Sequence, residues 1–100
     1  MAGRPFEPGK LGLQRDVDPK TLGRGDRLAL DARRLAHQLH LLRRGVSRVI
    51  RIEVNEAGRI HDGHHGVRAA IDLGILITVN VVAGTEPPGG PPSVDRMRVL

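Results

Sequence analysis

A single aromatic residue, Phe6, stands in a chain of 100 residues. Whatever core this chain builds must therefore be made of Val, Ile, Leu and Ala. At this length one domain is expected, with little apolar surplus beyond its core. The same scarcity narrows function. Sequence-tolerant binding of single-stranded nucleic acid stacks bases on Phe, Tyr or Trp platforms, and one phenylalanine cannot furnish a set of them. Cysteine is absent, which excludes disulfides, zinc–thiolate sites and thiol catalysis.

The aliphatic residues fall into legible patterns. Leu28, Ala32, Leu35, Leu39 and Leu42 recur at helical spacing and predict a first helix. Asp26 is its expected N-cap, and Arg43, Arg44 and Gly45 suit its C-terminus. Arg33, Arg34, His37 and Arg44 lie off the apolar stripe. Val46 to Val54 reads as a strand, Asn55-Glu56-Ala57-Gly58 as a turn, and Arg59-Ile60-His61 as a short returning strand. A second helix is expected from about His64 to Leu73 with Gly74 as its stop. A strand follows from Ile75 to Val82, apolar on both faces and so expected to be central or well covered. Leu13 to Asp18 reads as a short edge strand. The expectation is a small α+β domain with a mixed sheet of three to five strands and two packed helices. It spans 13–83, between a loose lead-in over 1–12 and a Pro/Gly-rich tail over 84–100, whose Val94 to Leu100 could also be a docking segment.

The formal net charge is +5, and the cations are nearly all arginine. Arginine is the better bidentate partner for phosphate, so nucleotides and nucleic acids are candidate partners. An arginine-rich solvated surface gives the same composition. No stretch approaches the roughly 20 apolar residues of a membrane span. Met1 to Lys10 lacks the apolar run of a secretory signal, so a cytoplasmic protein without membrane contact is expected.

The strongest chemical signal is the run Asp62-Gly63-His64-His65-Gly66, between a short strand and a helix. The first turn of a helix offers unpaired N–H groups and a partial positive charge, which suits phosphate. Gly63 and Gly66 allow close backbone approach, and His64 and His65 add two polar rings. Arg68 can reach back toward the helix start. Asp62 is placed to cap the helix, to orient a histidine or to hold a nucleotide-bound metal ion. A zinc cluster of His61, His64, His65 and Asp62, helped by His37 and His40, matches no strong spacing signature.

This segment resembles the ParB/sulfiredoxin superfamily. The matching residues are Asp62-Gly63-His64-His65, Arg68-Ala69-Ala70, Leu73-Gly74 and Val79-Asn80-Val81-Val82, with Gly66 where the common pattern has arginine. Asp18-Pro19-Lys20-Thr21-Leu22 and the strand Val49 to Val54 follow the family's order of elements. The resemblance implies a nucleotide site at Asp62, Gly63, His64, His65, Gly66 and Arg68, with ATP or CTP and Mg²⁺ as ligand. It also implies phosphotransfer or nucleotide hydrolysis, and on that reading His64 and His65 bond the phosphate oxygens or act as acid and base, while Arg68 neutralises developing charge. Sulfiredoxin chemistry itself is excluded by the lack of cysteine. Two other roles stay open: a non-enzymatic DNA- or protein-binding module using the arginine-rich first helix, and a nuclease or bacterial toxin domain. On the nucleotide reading, replacing His64 and His65 together by Ala removes binding and leaves the fold intact.

Overall fold

The computed structural model describes residues 3–25, 27–44, 52–84 and 93–100. Its elements, in chain order, are β1 (Gly12–Val17), β2 (Ala29–Leu30), α1 (Ala32–Arg43), β3 (Glu53–Val54), β4 (Ile60–Asp62), α2 (His64–Leu73), β5 (Ile77–Val81) and β6 (Arg98–Val99). Single 3₁₀ turns occur at Pro19–Thr21 and Val94–Arg96. The sheet order is β1-β5-β3-β4, and β2 and β6 make a separate two-stranded parallel sheet. β5 runs antiparallel to β1 and parallel to β3, and β3 is antiparallel to β4. The domain is the expected α+β type, with a mixed sheet and two helices.

One aliphatic core joins these elements. Val54, Ile60, Val79 and Val81 of the sheet share it with Val67, Ala69 and Ala70 of α2 and with Leu35 and Leu42 of α1. β5 is an inner strand, as its apolar content implies. Only one of its faces is buried, however. Ile77, Val79 and Val81 point inward, while Thr78 and Asn80 are exposed. The chain beyond Ser93 contributes to the same core through Val94 and Met97, both nearly inaccessible.

The first helix starts later than its spacing predicts. Leu28 is 78% exposed and lies outside the helix. Ala29 and Leu30 pair instead with Arg98 and Val99, and the Leu30 carbonyl accepts the Leu100 N–H at 2.8 Å. Asp31 then caps α1, its Oδ1 accepting from the N–H groups of Arg33 (2.9 Å) and Arg34 (3.0 Å). The Arg34 N–H, more than that of Arg33, holds the Asp31 carboxyl below the usual carboxylate range. The extended pairing of β2 overrides a helical periodicity that would otherwise run back to Leu28. The expected cap Asp26, the expected stop Gly45, residues 46–51 of the expected strand and the Pro/Gly tract at 85–92 lie outside the described residues.

The turn between β3 and β4 forms as its sequence predicts. Asn55 Oδ1 accepts from the N–H groups of Ala57 (3.0 Å) and Arg59 (2.9 Å), and the Gly58 N–H bonds the Asn55 carbonyl at 2.9 Å. Gly58 has φ +80°, and a Cβ there would lie 2.8 Å from the Phe6 ring. The one aromatic residue of the chain thus seals the core over a bare backbone position. Gly58→Ala meets both the left-handed backbone cost and the ring, so it should lower the unfolding free energy by about 1–2 kcal/mol or more. Urea denaturation checks this.

Candidate functional site

The strand–turn–helix read from the sequence is present. β4 ends at Asp62, Gly63 turns the chain with φ +104°, and α2 begins at His64. Asp62 is not the cap of α2. It is the last, exposed residue of β4, paired with Glu53. The left-handed Gly63 takes the cap position, and no side chain caps α2 there. A single glycine reverses the chain so tightly that the carboxylate stays in the strand. Gly74 ends the helix at φ +66°, its N–H bonding the Ala70 and Ile71 carbonyls, while the Ile75 N–H also returns to Ala70.

The two histidines face inward. His64 is 4% exposed and His65 8%. His64 Nε2 accepts the Gly25 N–H at 3.1 Å, and His65 Nε2 accepts the Asp31 N–H at 2.9 Å. An acceptor Nε2 belongs to a neutral ring that carries its proton on Nδ1, so the bonding pattern assigns the tautomer of both rings. Burial lowers the pKa of His65. The nearby cations of Arg27 and Arg34 lower it further, and the Asp31 carboxylate opposes them. The Nε2 atoms of both rings are therefore engaged with the backbone N–H groups of Gly25 and Asp31. Gly25 also packs over the start of β4, where a Cβ would collide with the Ile60 carbonyl oxygen.

Arg68 does not turn back to the start of α2. Its Nη1 donates to the carbonyls of Val94 (3.1 Å) and Met97 (3.0 Å), and its Nε to Asp72 Oδ1 (3.2 Å). The side chain is only 17% exposed. It ties the chain after Ser93 to α2 and satisfies two carbonyls of that 3₁₀ turn. Gly66 is buried within the first turn of α2. Of the residues grouped by sequence, then, Gly63, His64, His65 and Gly66 meet at the helix start, while Asp62 stays at the strand edge and Arg68 serves the C-terminal segment. Among the described residues no three His, Asp or Glu side chains are placed to hold a metal ion. None of their helices is long and apolar enough to cross a membrane.

A second cluster of polar side chains lies on α1 and its C-cap Arg44. Arg33, His37, His40 and Arg44 are all exposed. Their spacing of four, three and four residues sets them on one face, opposite the buried Leu35 and Leu42. Arg34 and Arg43 flank that face, and α1 contains no acidic residue. The heptad-like spacing was available in the sequence, but a cationic stripe carries no distinctive motif. Neither the protein-family models, nor the curated proteins, nor the solved structures give a match to this chain.

Replacing His64 and His65 together by Ala leaves the Gly25 and Asp31 N–H groups without their acceptors. The expected result is a loss of about 2–4 kcal/mol of stability, from about 1–3 for the buried Gly25 N–H deprived of its partner and about 1 for the part-buried bond of Asp31. Chemical denaturation measures it. Arg68→Met, which keeps the stem and removes the donors, should release the segment after Ser93. Its amides, that of Met97 above all, should exchange faster than that of Asn80 in the sheet.

Proposed function

We propose that this chain is a non-catalytic nucleic-acid-binding module that lays α1 along a phosphate backbone. The observation that carries the reading is the exposed face of Arg33, His37, His40 and Arg44, flanked by Arg34 and Arg43 and free of acidic residues within the helix. From Arg33 to Arg44 the helix rises roughly 17 Å. Over that length duplex DNA presents on the order of ten phosphate charges. Arginine suits such contacts because its planar fork bonds phosphate oxygens in pairs. The only aromatic side chain is buried, which favours backbone contact with a duplex over base stacking with a single strand. The net charge of +5 supports attraction at a distance. The ParB-like run from Asp62 to Val82 is compatible with a module of this kind.

Binding of this type is governed by counterion release. With four arginines on or beside the face, log K should fall with log salt at a slope of about −3.6. The double variant R33Q/R44Q should reduce the slope by about 2 and weaken binding to different duplex sequences alike. Fluorescence anisotropy with a labelled duplex at 50–200 mM salt, the usual range for such slopes, is the measurement. No duplex binding at the low-salt end, or the same slope in the variant, overturns the reading.

A second reading, binding of a phosphate or a nucleotide such as ATP or CTP with Mg²⁺ at the start of α2, is favoured by one observation. Gly63 caps that helix without any side-chain acceptor, and its first turn carries no acid, which leaves the dipole without an anionic side chain of the helix itself. Phosphotransfer or hydrolysis there would need His64 or His65 released from the backbone it holds. A thermal-shift screen against nucleotides with and without Mg²⁺ separates the two readings. Selective stabilisation by one nucleotide, retained in R33Q/R44Q, supports the second site. No shift at millimolar nucleotide removes it.

A further inference from the structure

We propose that His65 is a proton-released latch on the entry to α1, holding the chain in place only while its ring is neutral. The latch is distinct from the nucleic-acid reading of α1 and stands without it. Three observations converge on it. First, the ring Nε2 accepts the N–H of Asp31, the residue that caps α1, at 2.9 Å. Second, the ring is buried, which disfavours its charged form while the latch is closed. Third, the neighbouring ring of His64 accepts the Gly25 N–H at 3.1 Å. Two consecutive residues of one helix thus bond the backbone at Gly25 and at the α1 cap Asp31.

A protonated imidazole has two donors and no acceptor. Proton uptake by His65 would set an N–H against the N–H of Asp31, and the bond must open. The surroundings make the closed state resist that proton. Arg27 and Arg34, the latter in the first turn of α1, both disfavour a second positive charge, and among the described residues Asp31 is the acid that favours it. The start of α2 adds its own partial positive charge, and no acid sits in its first turn. In the open state the ring is hydrated and titrates as an ordinary histidine, near 6.5.

The direction follows from linkage. The closed state binds the proton less readily than the open one. Closure is therefore fully favoured above the ordinary histidine value and weakens as the pH falls below it, until the lowered value of the closed state is reached. Opening frees the α1 cap and strains the adjoining pairing of β2 with β6, because Leu30 and Ala32 are both tied to Leu100.

The test is amide hydrogen exchange followed by NMR between pH 7 and pH 5, corrected for intrinsic rates. The Asp31 amide should lose about tenfold in protection over that range, while the Asn80 amide, bonded to the Ile52 carbonyl, should not. In His65→Gln the amide oxygen can still accept the Asp31 N–H but cannot titrate, so the pH-dependent loss should vanish. His37→Gln, on the exposed face of α1, should behave as wild type. Equal loss in wild type and His65→Gln overturns the proposal, as does unchanged Asp31 protection in wild type. Should His65→Gln fail to fold, a long-range ¹H–¹⁵N spectrum of the wild-type ring decides. A proton on Nδ1 at pH 7 is required, and a proton on Nε2 refutes the latch.

Discussion

Two buried imidazoles, each accepting a backbone N–H, are the constraint on which the rest of the described structure depends. A domain with one aromatic residue has few large side chains with which to lock its parts together. His64 and His65 supply bulk and acceptors at once. They sit where β4 turns into α2, and they reach a segment more than thirty residues earlier in the chain. That segment carries the α1 cap, so the position of α1 over the core is set from α2. The price is a dependence on the neutral state of a titratable group.

Arg68 plays the corresponding part at the other side of α2. Its guanidinium meets two carbonyls of the Val94–Arg96 turn region and the carboxylate of Asp72. Val94 and Met97 can then enter the core without leaving those carbonyls unpaired. α2 is thus held at its start by acceptors and further along by a donor, each bonded to backbone from a distant part of the chain. The consequence for function is a division of labour. The polar residues of α2 with the strongest chemistry are engaged in holding the fold, while the exposed arginines of α1 and its C-cap are gathered on and beside one helix face. Asp31 caps α1 while lying beside His65, which places a carboxylate where the two helix starts approach each other. An incoming anion at that junction would meet a charge already in place.

Local features were legible to the extent that neighbours in sequence decide them. The limits of α2 follow from Gly63, Gly74 and the apolar spacing between them. The β3–β4 turn follows from Asn55 and Gly58, because an Asx turn and a left-handed glycine are properties of a few consecutive residues. The buried stripe of Leu35 and Leu42 and the polar face of α1 follow from helical periodicity. The start of α1 did not follow, because Leu28 continues the helical period and only the pairing of β2 with β6 removes it from the helix. Two-residue strands leave no periodicity to detect.

The sequence by itself determined an aliphatic α+β core, a short glycine-bounded helix after a returning strand, and an arginine-rich helix with one apolar side. Those properties rest on side-chain volume, spacing and backbone preference, which act over a turn of helix or a few residues of strand. Only the tertiary structure decided what His64, His65 and Arg68 do. Their hydrogen-bond partners lie 39, 34 and 26 or 29 residues away, and a polar side chain at a helix start has the same local signature whether it meets a ligand or the protein's own backbone. Burial separates the two outcomes, and burial is a property of the assembled chain.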